Sequence, residues 1–84
     1  MKRKNEYIGL HLVNGLVAEV LQRTDTWTNK SCALDFCADS IREALYVSLF
    51  PENRKRLAKD GFIRFPDDRG TVHEWRLVKT SRFV

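Results

Sequence analysis

The spacing of apolar residues changes from one stretch of the chain to the next, and each change predicts an element. From Phe62 the period is two. FIRF (Phe62 to Phe65) is followed by Pro66-Asp67-Asp68-Arg69-Gly70 and then by Thr71 to Lys79, where His73, Trp75 and Leu77 alternate with Val72, Glu74, Arg76 and Val78. Two alternating runs joined by five residues rich in Pro, Asp and Gly predict a β-hairpin. The segment before it, Pro51 to Asp60, reads as a short helix, with Pro51 at its first position, Glu52 early where the helix dipole favours negative charge, and Gly61 to end it. Only Leu57 and Ala58 are apolar there, which leaves Asn53, Arg54, Lys55, Arg56 and Lys59 to face water or a ligand.

Upstream the pattern is less uniform. Ser40 and Glu43 form an S-x-x-E capping box, which predicts a helix from Ile41 to about Leu49 with Ile41, Ala44, Leu45 and Leu49 as its stripe. Cys32, Leu34 and Phe36 alternate with Ser31, Ala33 and Asp35, a pattern that predicts a short strand. Thr24 to Asn29 is a polar loop, with Trp27 expected to fold back onto the core. Tyr7 to Arg23 admits two readings. As a helix, Leu10, Val13, Leu16, Val17, Val20 and Leu21 form one stripe. As a hairpin, Asn14-Gly15 makes the turn, Ile8, Leu10 and Leu12 face Val17 and Leu21 across it, and Glu19 shares their face. The helix must tolerate Gly9 and Gly15, at about 1 kcal/mol each.

A chain of 84 residues holds one domain, residues 1–84, with 1–5 and 80–84 expected as loose tails. Apolar residues make up 43% and charged residues 31%, a balance that suits a folded protein and not a disordered tail. Residues 51–84 hold nine Lys or Arg against five Asp or Glu, whereas residues 1–50 hold six of each. The whole excess of +4 therefore lies in the last part of the chain, and it favours an anionic partner.

The stretch from Ile41 to Lys79, and LAKDGFIRF (Leu57 to Phe65) above all, resembles the helix, helix and wing of winged helix-turn-helix proteins. The resemblance implies a small α+β domain with a C-terminal hairpin. Its second helix would enter the major groove of duplex DNA while the wing touches the backbone or minor groove. Asn53, Lys55, Arg56 and Lys59 would make the helix contacts and Arg69 the wing contact. At Arg54, one turn before Leu57, the family usually has an apolar residue. The alternative fold is an N-terminal hairpin or three-stranded meander packed by one helix.

The chain is not expected to be an enzyme. Cys32 and Cys37 have no second Cys or His at zinc-ligand spacing, no local signature pairs Cys37 with His11 or His73, and the four glycines form no phosphate loop. ALDFCAD (Ala33 to Asp39) is similar to the strand bearing the first catalytic aspartate of transposase and integrase cores, but those enzymes need two further carboxylates on a longer domain. Neither metal nor cofactor is expected, and no run is long enough to span a membrane. The basic start, Met1 to Lys4, lacks a cleavage pattern, so a cytoplasmic protein is expected. The favoured role is a nucleic-acid-binding regulator on duplex DNA, with a homodimer built through the apolar N-terminal segment for any palindromic site. A second class fits the same composition: a small interaction protein, of the sort phages and mobile elements make to block or retune a host enzyme, docking on an acidic protein surface.

Overall fold

The computed structural model describes residues 3–21, 29–46 and 51–83, with side chains over 5–21, 29–46 and 51–80. Its elements run β1 (Arg3–Val13), β2 (Leu16–Leu21), α1 (Lys30–Leu45), α2 (Pro51–Asp60), β3 (Phe62–Pro66) and β4 (Val72–Phe83). Trp27 and residues 47–50, where the helix through Leu49 was expected to end, lie outside the described residues. The strands make one antiparallel sheet of order β2-β1-β4-β3, so two hairpins lie side by side, joined through the first and last strands.

Tyr7 to Arg23 resolves as a hairpin over its described residues. Asn14 and Gly15 take φ of 50° and 83°, the pair of left-handed positions that a two-residue hairpin turn needs. The turn is also held from β4: Asn14 N–H donates to the Val72 carbonyl at 2.9 Å, and Val72 N–H donates to Asn14 Oδ1 at 3.1 Å. The register shifts between His11 and Leu12, where Leu12 pairs with Val17 and His11 with Glu19. Ala18 is the extra residue of a β-bulge. The bulge corrects the expected facing: Val17 and Val20 share a face with Leu10 and Leu12, whereas Glu19 and Leu21 turn to the side of Gly9 and His11.

Three further expectations are corrected. The strand expected over Ser31 to Phe36 is the first half of α1. Its cap is Asn29, whose side-chain oxygen accepts from Cys32 N–H at 2.8 Å, and Ala33, Leu34, Cys37, Ser40 and Ile41 form its buried stripe. Ser40 is thus buried in mid-helix, and the Ser40–Glu43 capping box does not start a helix. Within the described residues, β1 pairs with β4 from Arg3 opposite Phe83 to Val13 opposite His73. The sheet has four strands under two helices, which is more than a wing of two strands, and more than a three-stranded meander under one helix.

Both helices cover one face of the sheet. Trp75, Ile41, Leu57 and Cys37 are fully buried there, with Leu21, Leu34 and Ile63 around them. Trp75 lies opposite both His11 and Ile63, and burying its ring contributes on the order of 5 kcal/mol. Its Nε1–H donates to Ser40 Oγ at 2.9 Å. Close approach of α1 depends on Gly9, where a Cβ would lie 2.8 Å from Cys37 Sγ and 3.3 Å from Leu21 Cβ.

Candidate nucleic-acid interface

Leu57 fixes α2, since it is the helix's buried residue and belongs to the cluster around Trp75. Gly61, at φ 84°, ends the helix. Its N–H donates to the Leu57 carbonyl at 3.0 Å, and its own carbonyl accepts from Leu77 N–H at 2.7 Å, so the helix end is bonded to the sheet. Arg54, one turn before Leu57, ties the two helices together, donating to Asp35 Oδ1 at 2.8 Å and to the Ser31 carbonyl at 3.4 Å. That contact uses the one helix cation that faces the core side.

At 100° per residue, Lys55, Lys59 and Arg56 fall on a single arc centred opposite Leu57, with Glu52 inside it. All four are exposed. Among the described residues, no carboxylate forms an ion pair with Lys55, Arg56 or Lys59. Asn53 is half-buried beside Leu57. Arg69 is exposed in the turn between β3 and β4, separated from Gly61 by the length of β3, roughly 17 Å. The structure brings three of the five expected residues together on one arc; Asn53 flanks that arc and Arg69 stands apart from it.

Charge is distributed across the molecule from edge to edge. At the β2 edge a groove of about 230 Å³ between β2 and α1 is lined by Glu19, Asp39 and Glu43 along with Leu21, Phe36 and Ser40. Arg42 pairs with Asp39 at 2.6 Å. At the β3 edge, Arg56, Arg64 and Asp60 line a groove with Phe62 and Ile63. Arg64 and Arg76 lie 4.8 and 5.6 Å from the centre of the Phe62 ring and bind the two oxygens of Glu74 at 2.6 and 2.8 Å. Burial raises the Glu74 pKa, but the hydrogen bonds and charges of Arg76 and Arg64 outweigh it and hold the carboxyl below its ordinary value.

A second cluster escaped sequence reasoning. His73 Nε2 lies 3.1 Å from Asp67 Oδ2, and His73 Nδ1 lies 2.9 Å from His11 Nε2. A carboxylate can only accept, so His73 carries a proton on Nε2, and a further proton lies between His73 Nδ1 and His11 Nε2. Desolvation acts to raise the Asp67 pKa, but hydrogen bonds from Arg69 N–H, His73 and Thr71 N–H lower it on balance. Burial, then the charge of His73, lowers the His11 pKa against the opposing pull of Glu19. The His11 ring stacks on Trp75, with centroids 4.5 Å apart and planes at 2°. Alternation places His73 beside Trp75, but the pairing of β1 with β4 that brings in His11 spans 62 residues and leaves no local trace.

The chain Asp67–His73–His11 ends on an indole face and not on a nucleophile. Cys37, the thiol considered as its partner, is buried against Gly9, and desolvation pushes its pKa up to about 11. Such a thiol stays protonated and unreactive at neutral pH. Asp35 is an exposed residue of α1 bound to Arg54, not a strand carboxylate. Among the described residues, no group of three or more His, Cys, Asp or Glu is placed to hold a metal ion, and no helix is long and apolar enough to cross a membrane. No protein family, no curated protein and no solved structure matches this chain.

Proposed function

We propose that the chain is a small nucleic-acid-binding regulator that grips duplex DNA with the outward arc of α2. One observation carries the reading: Lys55, Arg56 and Lys59 share that exposed arc, opposite the buried Leu57, and among the described residues none of the three forms an ion pair with a carboxylate. A helix fixed at its buried side and cationic at its outer side presents charge with little loss of side-chain order, and phosphates are the ligand that charge recognises. The order α1, α2 and then the β3–β4 hairpin supports the winged-helix reading, in which α2 would serve as the recognition helix and Arg69 as the wing contact. The acidic groove beside β2 lies at the far edge of the sheet, so repulsion there orients the molecule with α2 toward the polyanion. Phosphate neutralisation supplies most of the affinity, and Asn53 with the arc supplies any base preference.

Changing Lys55, Arg56 and Lys59 together to Ala tests this. The variant keeps the wild-type circular dichroism and urea midpoint, because none of the three packs in the core, and it loses the mobility shift of a duplex DNA. A shift that survives the triple substitution sinks the reading.

A further inference from the structure

β1 and β4 outrun the strands beside them. β2 stops opposite Gly9 and β3 starts opposite Arg76, so Arg3 to Ile8 and Val78 to Phe83 leave the body as a two-stranded ribbon. At about 3.3 Å per residue the ribbon is about 20 Å long. Its sequence carries four cations, Arg3, Lys4, Lys79 and Arg82, against one carboxylate, Glu6, which is only 6% exposed.

The helices bring further cations to the root of the ribbon. Alternation from the buried Trp75 turns Leu77 and Lys79 to the helix-bearing side, and Tyr7, opposite Lys79, shares that side. At the start of α1 the exposed Lys30 places Nζ 5.6 Å from the centre of the Tyr7 ring. The first turn of α1 is also tied to α2, through Arg54 and the Ser31 carbonyl. The end of α2 is bonded to β4, where Leu77 N–H donates to the Gly61 carbonyl, and Lys59 and Lys79 each stand two residues along the chain from that bond. The ribbon root, the start of α1 and the end of α2 therefore adjoin. Among the described residues, no carboxylate forms an ion pair with Lys30, Lys59 or Lys79. Lys30 is also set against its own helix. It is the first residue of α1, whose first turn holds no acidic side chain, and a cation there opposes the helix dipole. The Tyr7 ring offsets part of that repulsion; a polyanion outside the chain offsets the rest.

We propose, extending the reading in which α2 grips duplex DNA and resting on it, that the ribbon root is a second phosphate-binding site on the same duplex. Lys30 and Lys79 bind phosphates next to those held by the α2 arc, and the ribbon continues along the DNA. Shape favours this polyanion. A two-stranded ribbon fits the major groove of B-form DNA, about 12 Å wide, and not the deep, narrow major groove of duplex RNA. The duplex carries one negative charge per about 1.7 Å of its axis, so an arm of about 20 Å passes about a dozen phosphates. An acidic protein surface presents carboxylates at no such density.

Fluorescence anisotropy of a labelled duplex DNA across a salt series, on the full chain, separates this site from the α2 arc. The double variant Lys30→Ala, Lys79→Thr keeps the α2 cations and, with Thr, the β propensity of the strand. Its slope of log K against log salt should be shallower than wild type by about 1.8, at about 0.9 per phosphate contact. Lys30→Ala alone should weaken binding while its urea midpoint stays at or above the wild-type value, which a merely structural role would not give. Arg42→Ala removes an equal charge beside Asp39, in the last turn of α1, and should leave the slope unchanged. A wild-type slope in the Lys30, Lys79 variant overturns the inference even where the α2 triple variant loses binding. A shallower slope in this variant with none in the α2 variant supports the ribbon site and sinks the α2 reading. An effect of Lys30 and Lys79 confined to duplex RNA or to an acidic protein overturns the inference, as does a slope equally reduced by Arg42→Ala.

Discussion

Ser40 shows how much one hydroxyl decides. It is buried in mid-helix, where serine is a poor choice by propensity, and its Oγ accepts the indole proton of Trp75 at the centre of the core. Ser40→Ala leaves that N–H buried without a partner, at a cost of about 1 to 3 kcal/mol. The urea midpoint should fall accordingly, and an unchanged midpoint would show that the indole finds another acceptor. His11 has a different signature. Burial and His73 lower its pKa from the ordinary 6.5, so below 6.5 the unfolded chain binds protons that the folded chain resists. Its contribution to stability is complete above about 6.5 and is lost as pH falls through the lowered folded value. Asp67 and Glu74 are also held low, but from ordinary values of 3.8 and 4.5, so they act in a more acidic window. Glu19 and His73 are the charged groups facing His11 in this balance. His11→Phe keeps a ring over Trp75 and should flatten the decline of stability that sets in below pH 6.5, whatever its absolute stability; an equally steep decline in the variant would assign the effect elsewhere.

At the scale of elements, what could be read depended on whether the signal was local. The β3–β4 hairpin and α2 were legible because Pro51, Gly61 and the Pro66–Gly70 turn each fix backbone geometry within a few residues. Asn14-Gly15 carried the same kind of signal for β1–β2, but the spacing of Leu10, Val13, Leu16, Val17, Val20 and Leu21 suited a helix equally well. What decides between them is β4, whose pairing along all of β1 makes that strand central. The start of α1 was misread for an identifiable reason. Six alternating residues look like a strand, and the helical stripe Ala33, Leu34, Cys37, Ser40, Ile41 is interrupted by a polar residue whose burial makes sense only once Trp75 is beside it. Ser40 then served as a spurious cap, and the real one, Asn29, passed for part of a polar loop.

At the scale of the whole molecule, the long central pair gives the chain its extents of 48 × 25 × 20 Å. β1 and β4 run past their outer neighbours, since β2 stops opposite Gly9 and β3 starts opposite Arg76, and the remainder projects as a two-stranded ribbon from Arg3 to Ile8 and Val78 to Phe83. The sheet separates two surfaces of unlike chemistry: helices with a cationic arc on one side, and on the other an open strand face where aliphatic residues of β1 and β2 adjoin the ion cluster of Glu74, Arg64 and Arg76. Of the candidate site, the residue types and the cationic helix were visible in the sequence. Its flanking acidic groove, the neutralisation of Arg54 by Asp35 and the isolation of Arg69 were not, because each depends on contacts between elements distant in the chain.

The central claim is that the α2 arc binds phosphates, and the salt dependence of duplex binding measures it most directly. Each phosphate neutralised contributes about 0.9 to the slope of log K against log salt. Fluorescence anisotropy of a labelled duplex titrated across a salt series should therefore give a steep negative slope for the wild-type chain. The slope should be shallower by about 2.7 when Lys55, Arg56 and Lys59 are all Ala. Equal slopes for the two proteins, or no wild-type binding even at low salt, would contradict the account.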